Sequence, residues 1–324
     1  MIRLTDPCHT VAGSPSHSRH AVQARAACGN LVDRRAFLSM TASVLLATLP
    51  LRPAHAEVSP SDIYARYTYQ RPQDILGFVR DQAPAGDAEA TLAAIDEFSV
   101  AFPMYKIGAE KGLILEQLVR LVQPQLVVEL GSFIGYSAVR IARNLPPGAR
   151  LVCVEANAEC VEAMEGVLRH AGLRERVVIE QGLASDVVPR LAQQYGVAQL
   201  LFEDHCKQCY EGDLITAEKT GLLGPGSWLI ADNVLYPGAP ELLAHLADSK
   251  MWSGVLAPAK YEYDQAWNPS WEAGKPDAMA VAVRTVGLSQ AQTDETAKQL
   301  QSFCGSLATA CQPLPLAPIL DVQT

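Results

Sequence analysis

The chain has 324 residues, enough for one large domain or two small ones, and 49% of them are hydrophobic, so a sizeable core can form. A formal net charge of −9 argues against a nucleic-acid partner held through phosphate contacts. The first 56 residues differ from the rest: they hold six Arg and two acidic residues. Arg34 and Arg35 precede an apolar run from Ala36 to Leu51, and Ala54-His55-Ala56 offers a small-x-small cleavage site. The adjacent arginines, followed by Phe37 and Leu38, resemble a twin-arginine export signal. The apolar run is short for a transmembrane span, so a stable membrane span is not expected in the mature form. Cleavage after Ala56 would leave 20 basic and 33 acidic residues, three His and six Cys. An oxidising compartment would permit disulfides, but the Cys spacings do not form a staple framework.

From Ser59 to Ala101 the pattern is helical, broken at "PAGD". "GAEKGLILEQLVRLVQP" reads as a helix ending before Pro124. Short apolar runs then alternate with helical segments: "LVVELG", "RLVCVEAN", "RVVIEQG", "AQLLFEDH" and "GSWLIADNV" read as strands. This alternation predicts a mostly parallel sheet with helices on both faces. "WSGVLAPA" and "DAMAVAVRT" lack crossovers and are expected to form a hairpin at one end of the sheet. The expected organisation is a leader over 1–56, a single domain over 57–287, and a helical then Pro-rich tail over 288–324.

Chemistry concentrates where strands end. Gly131 and Gly135 in "VELGSFIGYS" bracket a tight turn from the first strand into a helix. The pattern is G-x-x-x-G, without the spacing of dinucleotide or phosphate-binding loops, and it also reads as a plain structural turn. Glu155 ends the second strand, where a carboxylate can accept hydrogen bonds from two ribose hydroxyls. Together these suggest a nucleoside-containing cofactor. Asp204 ends the fourth strand, and Asp232 and Asn233 end the fifth, on the same sheet edge. Two carboxylates and an amide suit Mg²⁺ or Ca²⁺ with open positions for substrate. Lys207 could reach a metal-held substrate oxygen as a general base if its proton were destabilised. Cys206 and Cys209 form a C-x-x-C that reads as a redox pair, a structural disulfide or free thiols.

In sequence order, "VVELGSFIGYSAVRIARNLPPGARLVCVEAN", "EDHCKQCY", "LIADNVLYPGAP" and "AKYEY" resemble the catechol O-methyltransferase family, from about Gln73 to Thr285. The resemblance implies a Rossmann-like S-adenosylmethionine-dependent methyltransferase fold. It also implies methyl transfer from S-adenosylmethionine to one hydroxyl of a catechol, with Mg²⁺ held by Asp204, Asp232 and Asn233. Lys207 and Glu262 would be catalytic, Glu262 holding the second hydroxyl. Ile107, Gly108, Glu129, Gly131, Tyr136, Ser137, Glu155, Ser185, Asp204 and His205 would line the cofactor site. Tyr105, Cys206, Lys207, Asn233, Pro237 and Glu262 would meet a small phenolic substrate, in a monomer or homodimer. Cys206 stands where the family carries Trp, and Tyr105 where it carries Met, which opens the wall to larger caffeoyl- or flavonoid-like diphenols. A non-catalytic ligand-binding protein and an exported thiol-disulfide enzyme are the other classes. The leader points to export, whereas the supply of S-adenosylmethionine points to the cytoplasm.

Overall fold

The computed structural model describes residues 71–102, 104–248, 250–262 and 275–314. The leader, the twin-arginine motif and the Pro-rich end from residue 315 on lie outside the described residues. Among the described residues three helices come first: α1 (Asp74–Gln82), α2 (Ala88–Ala101) and α3 (Gly108–Val122). Asp87 caps α2 by accepting from Ala90 N, and Gln123 ends α3 in the left-handed region at φ 47°. Strands and helices then alternate: β1 (Leu126–Leu130), α4 (Tyr136–Asn144), β2 (Arg150–Glu155), α5 (Ala158–His170), β3 (Val177–Gln181), α6 (Ala184–Tyr195), β4 (Ala198–Glu203), α7 (Tyr210–Thr220), β5 (Leu223–Ala231) and α8 (Pro240–Asp248). The chain closes with β6 (Trp252–Lys260), β7 (Pro276–Arg284), α9 (Gln290–Ser306) and the two-residue β8 (Gln312–Pro313).

The sheet order is β3-β2-β1-β4-β5-β7-β6-β8. The first five strands pair in parallel, and β7 and β6 pair antiparallel beyond them. The expected hairpin is therefore present, with β7 inserted between β5 and β6. Every residue of β1 is buried, as a strand covered on both faces must be. Val127, Phe202, Ile230 and Val281 face one apolar cluster with α1–α5 and α9, while Val128, Leu201, Leu229 and Ala280 face a second with α6, α7 and α8. Burying each such Val, Leu, Ile or Phe contributes about 1.5–3 kcal/mol. Ser289 and Gln292 form a capping box that starts α9, which packs through Leu300 and Phe303 onto the first cluster. β8 adds to the edge of β6 at Val255↔Pro313 and Leu256↔Gln312. Among the described residues no helix is long and apolar enough to cross a membrane.

Parallel strands end together, so the loops after β1, β2, β4 and β5 share one edge of the sheet. The register brings Glu203 of β4 beside Leu130 of β1 and Ala231 of β5, one residue short of Asp204 and Asp232. This edge carries the candidate site.

Candidate active site

Two groups of side chains meet at this edge. The first belongs to the turn after β1. Gly131 sits at φ 85°, and a Cβ there would meet Asp204 O at 2.6 Å and His205 Cβ at 2.8 Å. Only a bare backbone fits so close to the neighbouring strand end. Glu155 Oε2 accepts from Phe133 N at 2.8 Å and Oε1 from Asn157 N at 2.8 Å, so the carboxylate clamps the turn while each oxygen keeps a second lone pair. Glu129 is buried beneath the turn; Ser132 Oγ and Cys153 Sγ donate to its Oε2, and its Oε1 has no hydrogen-bond partner. Burial pushes the Glu129 carboxyl up to about 7, against hydrogen bonds from Ser137, Cys153 and Ser132. His205 is held by Asp213, 2.8 Å from its Nε2, and its buried Nδ1 has no partner. Burial lowers the His205 pKa more than Asp213 restores it, which favours the neutral ring.

The expected cofactor residues do not all behave alike. Gly131, Glu129, Ser137, Glu155, Asp204 and His205 cluster around the turn. Ile107 is buried at the start of α3, and the neighbouring Gly108, at φ 74°, lies against Glu262, its ideal Cβ 3.3 Å from Glu262 Cβ. Tyr136 departs from the expectation: its hydroxyl donates to Asp96 at 2.8 Å and accepts from Arg140, turning it toward α2 instead of the turn. Ser185 is exposed in the first turn of α6. A bare turn, a strand-end carboxylate with open lone pairs and unpartnered Glu129 and His205 atoms fit a polar nucleoside cofactor.

The second group surrounds Lys111, which the sequence did not single out. Its Nζ lies 2.9 Å from Asp232 Oδ1, 2.5 Å from Glu262 Oε2 and 2.6 Å from Asp277 Oδ2, and the side chain is 1% exposed. Burial opposes its charge, but Asp232, Glu262 and Asp277 outweigh that and raise its pKa, so it is an ammonium at neutral pH. Burial in turn raises the carboxyls of Asp232 and Glu262, with Lys111 opposing. Asn233, at φ 56°, directs its Nδ2 to Glu262 Oε1 at 3.2 Å and Asp277 Oδ2 at 3.0 Å. Lys207 Nζ pairs with Asp204 Oδ1 at 2.9 Å and donates to Tyr210 Oη at 2.7 Å. Tyr236, joined to the exposed Pro237 by a cis peptide bond, packs edge-on against Tyr261. Tyr105 is 37% exposed and meets the ring of Phe133 edge-on. Cys206 is engaged in a disulfide and Cys209 is in none, so the two are not bridged to each other.

The Mg²⁺ expectation is corrected here. Among the described residues no group of three or more His, Cys, Asp and Glu side chains converges on a possible metal position. Asp204 is engaged by Lys207, Asp232 by Lys111, and Asn233 presents its NH₂ to two carboxylates. The three expected ligands share an edge, as the strand pattern implied, but an internal ammonium meets the carboxylates. A Lys in the apolar stripe Ile107, Lys111, Ile114, Leu118 was the available signal, since an unpaired lysine is rarely buried.

The O-methyltransferase family model matches residues 87–250. "Catechol O-methyltransferase B" of Danio rerio is 38% identical over 199 residues, covering 60% of this chain and 75% of that protein. "Catechol O-methyltransferase" of Bos taurus is 41% identical over 178 residues, covering 54% of this chain and 65% of that protein. The solved O-methyltransferase from Bacillus cereus, in complex with SAH, superposes with a TM-score of 0.52 at 23% identity, over 61% of this chain and 91% of that one, which is a likeness of fold. With more than half of its length matched and the sheet, turn and acidic edge in place, this chain belongs to the O-methyltransferase family.

Proposed function

We propose that the protein transfers a methyl group from S-adenosylmethionine to one hydroxyl of a catechol-like diphenol, using its own charged side chains in place of a divalent cation. The observation that carries this reading is the direct apposition of the two groups. Gly131 abuts Asp204, and Gly108 abuts Glu262. A cofactor on the turn and a phenol at the charged edge would therefore be neighbours, and proximity is the main contribution to a bimolecular displacement. The relatives named above for catechol support the substrate class.

When bound, S-adenosylmethionine supplies an electrophilic methyl group on a sulfonium sulfur. Glu155 accepts from the ribose diol, and Gly131 lets the backbone approach. Lys207 is placed to exchange a proton with the reacting hydroxyl, while Glu262 accepts a hydrogen bond from the second. The Lys111 ammonium offsets the phenolate charge from behind Asp232 and Glu262 in a site where burial strengthens electrostatics. Bound S-adenosylmethionine would supply its methyl group to the phenolate oxygen by displacement, the carbon–sulfur electron pair leaving on sulfur.

The test is methyl transfer to catechol and to larger diphenols, with and without excess chelator, on protein beginning at Glu57. Methylated product in both conditions is expected. Absence of product with every diphenol would overturn the activity, and loss of product on chelation would overturn the metal-free chemistry. We also propose that the leader directs export; retention of the chain in the cytoplasm with Arg34 and Arg35 intact would refute it.

A further inference from the structure

Asp277 has no role in the reaction as written so far, yet it joins the parts that do. It enters from β7, opposite Ala259 of β6, and its side chain is fully buried. Each oxygen has a separate task. Oδ2 accepts from Lys111 Nζ at 2.6 Å and from Asn233 Nδ2 at 3.0 Å. Oδ1 accepts from Leu235 N at 3.2 Å and Tyr236 N at 3.0 Å. The same carboxylate thus fixes the ammonium, the amide and the backbone of the substrate wall. Without the acceptor at Oδ2, Asn233 has no reason to keep its NH₂ toward Glu262. Without the acceptor at Oδ1, two half-buried amides of the turn lose their partners.

We propose that Asp277 is a positioning residue of the methyl-acceptor site, holding Lys111 and Asn233 against Glu262 and Asp232 and tying both to the Leu235–Tyr236 turn. This rests on the methyl-acceptor reading above. Asp277 touches neither the phenol nor the cofactor turn. Its effect is transmitted through side chains that face the phenol, and it belongs in the rate of transfer and not in the cofactor's binding.

Asp277→Asn is the discriminating change. An amide can still offer its carbonyl to Leu235 N and Tyr236 N, but its NH₂ then opposes Lys111 Nζ and Asn233 Nδ2, donor against donor. The expected result is a kcat for catechol lower by roughly 10- to 100-fold, the worth of a hydrogen bond to a charged group, with the KM for S-adenosylmethionine within about twofold. Because Asp277 acts in part through Lys111, the penalties of Asp277→Asn and Lys111→Met should be less than multiplicative in the double variant. An unimpaired Asp277→Asn enzyme, or penalties that multiply in the double variant, would overturn the inference. Should Asp277→Asn not fold, amide exchange in Lys111→Gln takes its place. Leu235 and Tyr236 should exchange faster as Asp277 loses its cationic partner, and unchanged exchange would overturn the inference. Binding of 4-nitrocatechol, whose phenolate absorbs in the visible, separates the two levels. A wild-type chain that neither binds it nor transfers methyl to any diphenol refutes the acceptor reading and this inference together. An active wild type with an unimpaired Asp277→Asn refutes this inference alone.

Discussion

Replacing Lys111 with methionine removes an ammonium that meets three carboxylates at 2.9, 2.5 and 2.6 Å. The lysine is 1% exposed, and Asp232 and Asp277 are fully buried, so water screens none of these contacts effectively. Removing one partner of a buried ion pair costs about 3–5 kcal/mol, because the charges left behind are uncompensated. In a domain of this size that is roughly 6–20 °C in Tm. The loss should also depend on pH. In the wild type, Lys111 titrates above its ordinary 10.5, so its contribution is complete below that value and disappears as pH rises through its folded-state pKa. In the variant, Asp232 and Glu262 lose the cation that opposes burial and neighbouring carboxylates, which raise them further above their ordinary 3.8 and 4.5. The folded variant then holds protons that the unfolded chain releases, so its stability is greatest in acid and falls as pH rises past those ordinary values. Thermal melts of both proteins near pH 5 and pH 8 should show the larger gap at pH 8. A shift worth less than about 1 kcal/mol at pH 8, or an equal shift at both pH values, would refute the account.

Lys207→Ala should lower kcat by roughly 100- to 10,000-fold near neutral pH, with partial recovery as pH rises and the phenol ionises unaided; a flat ratio across pH would remove Lys207 as the base. Glu155→Ala should weaken S-adenosylmethionine binding by roughly 10- to 100-fold in calorimetry while leaving the catechol KM nearly unchanged. Gly131→Ala forces a side chain to φ 85° and to 2.6 Å from Asp204 O, so it should abolish cofactor binding in the same titration. Cys209→Ser should leave methyl transfer within about twofold, since this side chain is exposed and in no disulfide, whereas a thiol-disulfide enzyme would lose its activity.

The parallel half of the sheet was legible because its chemistry is local. Runs such as "LVVEL" and "LLFE" are apolar but for one Glu each, which suits strands buried on both faces, and Gly131 marks the turn that follows. The site was legible only to the level of its edge. Strand ends told where Asp204, Asp232 and Asn233 would gather, but not what cation would meet them. That answer comes from α3, whose Lys111 arrives from a distant part of the chain, and from β7, whose Asp277 opens a strand with weak pattern of its own. The partners of Tyr136 were hidden for the same reason: the resemblance implies a cofactor contact, while Asp96 and Arg140, which claim its hydroxyl, are set by helix packing.

The two-residue strand β8 has a consequence for how copies of this protein can meet. Pro313 pairs opposite Val255, and β6 itself carries Pro258 a short distance along. Prolyl nitrogens donate nothing to a ladder, so this margin of the sheet offers an interrupted row of donors to any incoming strand. Such a margin is poorly suited to growth by continuous strand addition, the route by which exposed edges seed aggregation. The closing residues thus act as a stopper on the sheet, a protection that matters most for a chain crowded among its own copies.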